Sequence, residues 1–147
     1  MKRNSFVAGL MRVCLALLVL ALFQGPVRDA QAAVCPSKDF PTFLAAYMNS
    51  IDVQKAFTLE PLQKLTTVDA EPEPKQVRHF LGSRELEFPL IPDAKTIDMR
   101  GLTLQITDRD QFSAAVKLQK PDTGYQVIYR FSFDTCWVLN EIQDDSI

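Results

Sequence analysis

The stretch from Tyr125 to Ser146, YQVIYRFSFDTCWVLNEIQDDS, reads as two long strands joined by a tight turn at Asp134-Thr135, and it contains the only Trp of the chain. Successive strand side chains point to opposite faces, so Tyr125, Val127, Tyr129, Phe131 and Phe133 share one face while Gln126, Ile128, Arg130, Ser132 and Asp134 share the other. A face with that many rings is too apolar to be left in water and demands a cover.

The cover is expected from the segment after Cys35-Pro36. Phe40, Phe43, Leu44, Tyr47, Met48 and Ile51 recur at the three-and-four spacing of an amphipathic helix, with Ser37 or Asp39 as cap and Pro41 tolerated in the first turn. Asn49-Ser50 end it, and a second short helix is expected from Asp52, acting as cap, through Phe57. Leu59 to Val68 turns towards a strand, with Pro61 at its start or on an edge. Asp69 to Lys75 is acidic and broken by Pro72 and Pro74, which reads as an exposed loop. Val77 to Leu81 fits a strand or one helical turn, Glu85 to Phe88 alternates like a strand, and Leu90 to Ala94 lies between prolines as a loop. Leu102 to Ile106 and Phe112 to Lys120 alternate as strands, and Pro121-Asp122-Thr123-Gly124 is a turn with Gly supplying positive φ. Helices first and antiparallel strands after them predict an α+β domain, its N-terminal helices laid on one face of a strongly curved antiparallel sheet.

Upstream of this domain, Lys2 and Arg3, the apolar run Val13 to Phe23 and the small residues Ala30-Gln31-Ala32-Ala33 have the order of a secretory leader. The run is too short to span a bilayer comfortably, so residues 1–32 are expected to be a cleaved signal peptide and 33–147 a single domain, with cleavage after Ala33 as the alternative. That places the protein in the periplasm or outside a bacterial cell, with no membrane span after cleavage. The leader takes four basic residues with one acid, so its removal makes the net charge of −2 more negative. Such a balance argues against nucleic acid and anionic membranes as partners.

Cys14 lies in the leader, which leaves Cys35 and Cys136 as an even pair in an oxidising compartment and predicts a disulfide between them. Lipidation of Cys35 is disfavoured by the bulk of Val34 before it.

The order of elements, with Phe40-x-x-Phe43, Val53-Gln54, Phe57-x-x-x-Pro61-Leu62 and the closing Tyr129-x-Phe131-x-Phe133-x-x-Cys136-Trp137-x-Leu139-x-x-Ile142-x-Asp144-x-Ser146, resembles the nuclear transport factor 2-like superfamily, nearest to small secreted bacterial families of unknown function. The resemblance implies a cone of bent sheet, its mouth partly closed by helices, often with a cavity inside. It also implies several functions, because catalysts with a buried Asp/His pair, ligand carriers and binding modules share that shape.

No catalytic set is expected here. His79 is the only histidine, and nothing near it in sequence offers a nucleophile or a run of metal ligands. Asp108-Arg109-Asp110, Glu85-x-Glu87 and Asp144-Asp145 are expected to be solvated, and the isolated glycines make no phosphate loop. No cofactor or metal is therefore expected. Tyr47, Tyr129, Trp137 and His79 are the candidates to line a ligand pocket, against plain core packing for the large rings. The leading expectation is a non-enzymatic binding module for a small apolar ligand or a protein partner. The alternatives are an inhibitor or immunity protein that plugs a cell-envelope enzyme with its Ala70 to Lys75 loop, and a His79-dependent hydrolase or isomerase. The sequence leaves homodimerisation open.

Overall fold

The computed structural model describes residues 33–146, so the expected leader lies outside the described residues. Two helices come first, α1 (Phe40–Asn49) and α2 (Ile51–Ala56). Strands β1 (Thr58–Val68) and β2 (Lys75–Leu81) follow, then α3 (Ala94–Met99), then β3 (Thr103–Arg109), β4 (Ser113–Gln119), β5 (Gln126–Phe133) and β6 (Trp137–Asp144).

Local chemistry sets the helix ends. Asp39 caps α1 by accepting from the Thr42 amide at 3.2 Å and the Thr42 hydroxyl at 2.8 Å, and Pro41 sits in the first turn where its missing N–H costs nothing. Ser50 both ends α1 and caps α2, accepting from the Val53 amide at 3.3 Å. Asp52, expected to be that cap, instead occupies the first turn, where a carboxylate still suits the helix dipole.

The strands form one open six-stranded sheet in the order β2-β1-β6-β5-β4-β3. Four neighbour pairs are antiparallel as expected, but β1 and β6 run parallel, which sets the first strand beside the last. Register shifts interrupt the β1/β6, β3/β4 and β5/β6 pairs, and irregularities of this kind bend strands locally. Pro61 falls inside the β1/β6 shift, before pairing with β2 begins at Leu62, so its lack of an N–H breaks no ladder.

The α1 face Phe40, Phe43, Leu44 and Tyr47 is buried, and it meets the inner face of β5 as the sequence predicts. Phe131 stands edge-on to Phe40 at 5.3 Å, Phe43 at 6.1 Å and Tyr47 at 5.4 Å between ring centres. Trp137 packs on Phe40 at 4.8 Å and donates its indole N–H to the Lys38 carbonyl at 2.8 Å. The Cys35–Cys136 disulfide closes this end, with the two Cα atoms 5.7 Å apart.

Other expectations need correcting. Glu85 to Phe88 is irregular rather than a strand, because it turns inwards to bury Leu86 instead of pairing. The loop expected after Leu90 contains α3, capped by Asp93 (Thr96 amide to Oδ1, 2.7 Å) and ended by Gly101 at φ +64°. In the Pro121 to Gly124 turn the positive φ falls on Asp122, at 60°, and not on the glycine. Asp144 and Asp145, expected to be solvated, are half-buried: Asp144 lies 3.9 Å from the Lys64 ammonium, and Asp145 accepts from the Thr67 hydroxyl at 3.0 Å.

Candidate ligand cleft

The inner face of β5 changes character along the strand. Phe131 is sealed among rings, Tyr129 two residues earlier is only 4% exposed, and Tyr125 stands in solvent just before the strand begins. Above Tyr129 the cover runs out, because α1 ends at Asn49 and the chain turns away into α2. The result is a cleft of about 500 Å³ between the α1–α2 corner, the segment Pro89 to Arg100 and the two tyrosines. Met48, Ile51 and Leu90 supply apolar wall, while Ser50, Thr96 and Arg100 bring polar groups to the rim. A second cleft of about 320 Å³ shares Pro89, Leu90, Tyr125 and Tyr129 with the first and continues towards Lys64, Glu85, Glu87 and Asp144.

Gln54 holds the wall that the two share. It is fully buried on α2, and its Nε2 donates to the Ile91 carbonyl at 2.9 Å while its Oε1 accepts from the Leu90 amide at 2.6 Å. One residue on, the Lys55 ammonium lies over the Phe88 ring, 5.8 Å from its centre. Replacing Gln54 with Leu is expected to cost about 2–4 kcal/mol, because a buried N–H and a buried carbonyl each lose their partner. Urea unfolding measures that cost. Hydrogen exchange at the Leu90 amide should accelerate in the variant.

The three tyrosines play different parts. The Thr58 hydroxyl donates to the Gln54 carbonyl at 2.6 Å, so the 2.6 Å contact between Tyr47 and Thr58 has the phenol as donor. Tyr47 is thus a core ring with a satisfied hydroxyl, and burial pushes its pKa far up. Burial also pushes up the pKa of Tyr129, with smaller contributions from Tyr125, Asp144 and Tyr47. Yet the Tyr129 hydroxyl has no hydrogen-bond partner among the described residues and is not sealed from the cleft. Tyr125 has a raised pKa through partial burial first and then Asp144, while Arg100 pulls the other way.

Of the residues singled out from sequence, Tyr129 lines the cleft, and Tyr47 and Trp137 pack in the core. His79 is exposed on the edge strand β2, opposite Lys64, and belongs to neither cleft. No carboxylate and imidazole meet in either cleft, and among the described residues no three His, Cys, Asp or Glu side chains converge as a metal site. Gln54, Asp93, Thr96 and Arg100 escaped the sequence reading as cleft residues. The one signal for the last three was the frame of α3, Asp93 as cap with Gly101 as stop.

A further hollow of about 430 Å³ lies on the opposite face of the sheet, beside Pro61, Phe80 and Arg130. Most of its polar groups serve one another, although the buried Asn140 Oδ1 in its lining has no hydrogen-bond partner among the described residues. Arg130 donates to Glu141 at 3.0 Å and to Gln143 at 3.2 Å, and Gln63 donates to Glu141 as well.

No family model matches the sequence, and no curated protein matches it significantly. Among solved structures, an NTF2-like protein from Bacteroides fragilis NCTC 9343 superposes with a TM-score of 0.55 at 20% sequence identity, over 74% of this chain and 47% of that one. The chain thus spans about half the length of that structure, and likeness at this identity speaks for the fold alone. With its helices set ahead of a bent six-stranded sheet whose inner face they cover, the protein has the fold of the nuclear transport factor 2-like superfamily.

Proposed function

We propose that the protein is a secreted or periplasmic, non-enzymatic binding module that holds a small ligand with both apolar and polar groups in the cleft over Tyr129. The Cys35–Cys136 disulfide fits an oxidising compartment, and among the described residues no helix is long and apolar enough to cross a membrane. The cleft has the size of a ligand site, with apolar groups from Met48, Ile51 and Leu90 set among a mainly polar lining.

The observation that carries the reading is the Tyr129 hydroxyl, which opens into the cleft without a hydrogen-bond partner among the described residues although the residue is only 4% exposed. Buried hydroxyls are nearly always satisfied, so one left open at the floor of a cleft is available to a guest. Its raised pKa keeps it protonated at neutral pH, which makes it a donor and a poor base. That chemistry suits binding better than proton abstraction.

The expected result for Tyr129→Phe follows from the same observation. Because no internal hydrogen bond is lost, the unfolding free energy should change by no more than about 0.5 kcal/mol. Ligand affinity should fall about tenfold with the lost donor. A stability loss well above about 1 kcal/mol in urea unfolding would show that the hydroxyl serves the fold, and the reading would be abandoned.

A further inference from the structure

The two clefts over Tyr129 differ in charge. In the first, Arg100 has no ion pair among the described residues, and the nearby Asp93 carboxylate is occupied in capping α3 through the Thr96 amide. In the second, Glu85, Glu87 and Asp144 face a single cation, Lys64, which lies 3.9 Å from Asp144. Tyr125 stands between, and the opposite pulls of Asp144 and Arg100 on its phenol place both charges within electrostatic reach of one ring. The shared wall of Pro89, Leu90, Tyr125 and Tyr129 is apolar and aromatic. At its foot is the Tyr129 hydroxyl, unpartnered among the described residues and open to the cleft, on a residue that is only 4% exposed.

Resting on the binding reading above, we infer that the guest is a zwitterion of dipeptide size, its carboxylate at Arg100, its apolar side chain over Tyr125 and Tyr129, and its ammonium at the Glu85, Glu87 and Asp144 lobe. A guanidinium pairs a carboxylate through two parallel N–H donors, and an ammonium gains both from the carboxylates and from the faces of tyrosine rings. A guest of one sign would meet repulsion at one lobe or the other, whereas a zwitterion is matched at both. The Tyr129 phenol then donates to a carbonyl of the guest, such as its peptide oxygen.

The test is calorimetric titration of the purified protein, with its disulfide intact, against alanyl-phenylalanine, the N-acetylated peptide and the C-terminal amide. The free peptide should bind, and each capped form should bind about fivefold more weakly, the size set by charges that remain partly in water. Arg100→Gln should erase the penalty for amidation and preserve the penalty for acetylation. Equal binding of all three peptides, or binding by none, overturns the assignment. Titration of the same protein with p-cresol separates that outcome from a failure of the cleft itself. If p-cresol moves the Tyr129 ring resonance while the peptides show no preference, the cleft stands and the zwitterion falls. If p-cresol leaves the ring unmoved as well, both fall.

Discussion

Removing the Cys35–Cys136 bridge in the double variant Cys35→Ala/Cys136→Ala should lower the unfolding free energy by about 4 kcal/mol. The two cysteines are 101 residues apart in sequence, so the crosslink restrains almost the whole described chain when unfolded, and chain entropy alone gives a stabilisation of ~4.7 kcal/mol. The expectation is set slightly lower because real bridges tend to deliver less. For a domain of this size, with ~5–15 kcal/mol in total, such a loss brings unfolding within reach of mild denaturant. Changing both cysteines avoids a free thiol and isolates the crosslink. Urea unfolding of the variant, and of the native protein with and without reductant, measures the effect. A loss below about 1 kcal/mol would mean that packing around Trp137, with its indole bond to Lys38, already holds the start of the domain in place.

Truncating Phe131 to Ala is expected to cost about 3–5 kcal/mol. The ring is 1% exposed and stands edge-on to Phe40, Phe43 and Tyr47, so its loss empties the space where α1 meets β5 and no neighbour can close it without moving a helix. Phe133 is the control. It lies on the same strand but is half-buried, with Trp137 as its ring partner at 5.0 Å, so Phe133→Ala should cost only about 1–2 kcal/mol. Equal costs at the two positions in urea unfolding would remove Phe131 from the centre of the core.

The contrast between these two rings marks what the sequence can tell. Period-two alternation assigns Tyr129, Phe131 and Phe133 to one face, and the three-and-four spacing of Phe40, Phe43 and Tyr47 supplies the helix that covers them. The disulfide was legible from parity, since only Cys35 and Cys136 remain beyond the expected leader. Neighbours within the sheet were not. Alternation gives the face of a strand and says nothing of which strand lies beside it, so the parallel β1/β6 pair was invisible.

The cleft was hidden for the same reason. Gln54 reads as a polar residue on a short helix, and its burial depends on backbone groups at Leu90 and Ile91 far along the chain. Leu86 reads as a strand residue and Ile91 as a loop residue, yet both serve as plugs of an irregular segment, because their burial comes from folding inwards and not from pairing. Tyr129 was recognisable as a pocket candidate from its ring. That its hydroxyl opens into a cleft without a partner follows only from the three-dimensional arrangement of the α1–α2 corner and the Pro89 to Arg100 segment around it.

The chain has only three tyrosines, which gives the cleft a built-in assay. With the tyrosine rings labelled with ¹³C, titration by phenol-sized fragments, p-cresol among them, should shift the resonances of Tyr129 and Tyr125 in a saturable way. Tyr47, sealed in the core and bonded to Thr58, should stay still. If instead all three rings remain unmoved across the panel, or if Tyr47 moves with Tyr129, the space over Tyr129 is not a binding cleft and the account of this protein as a small-ligand module is contradicted.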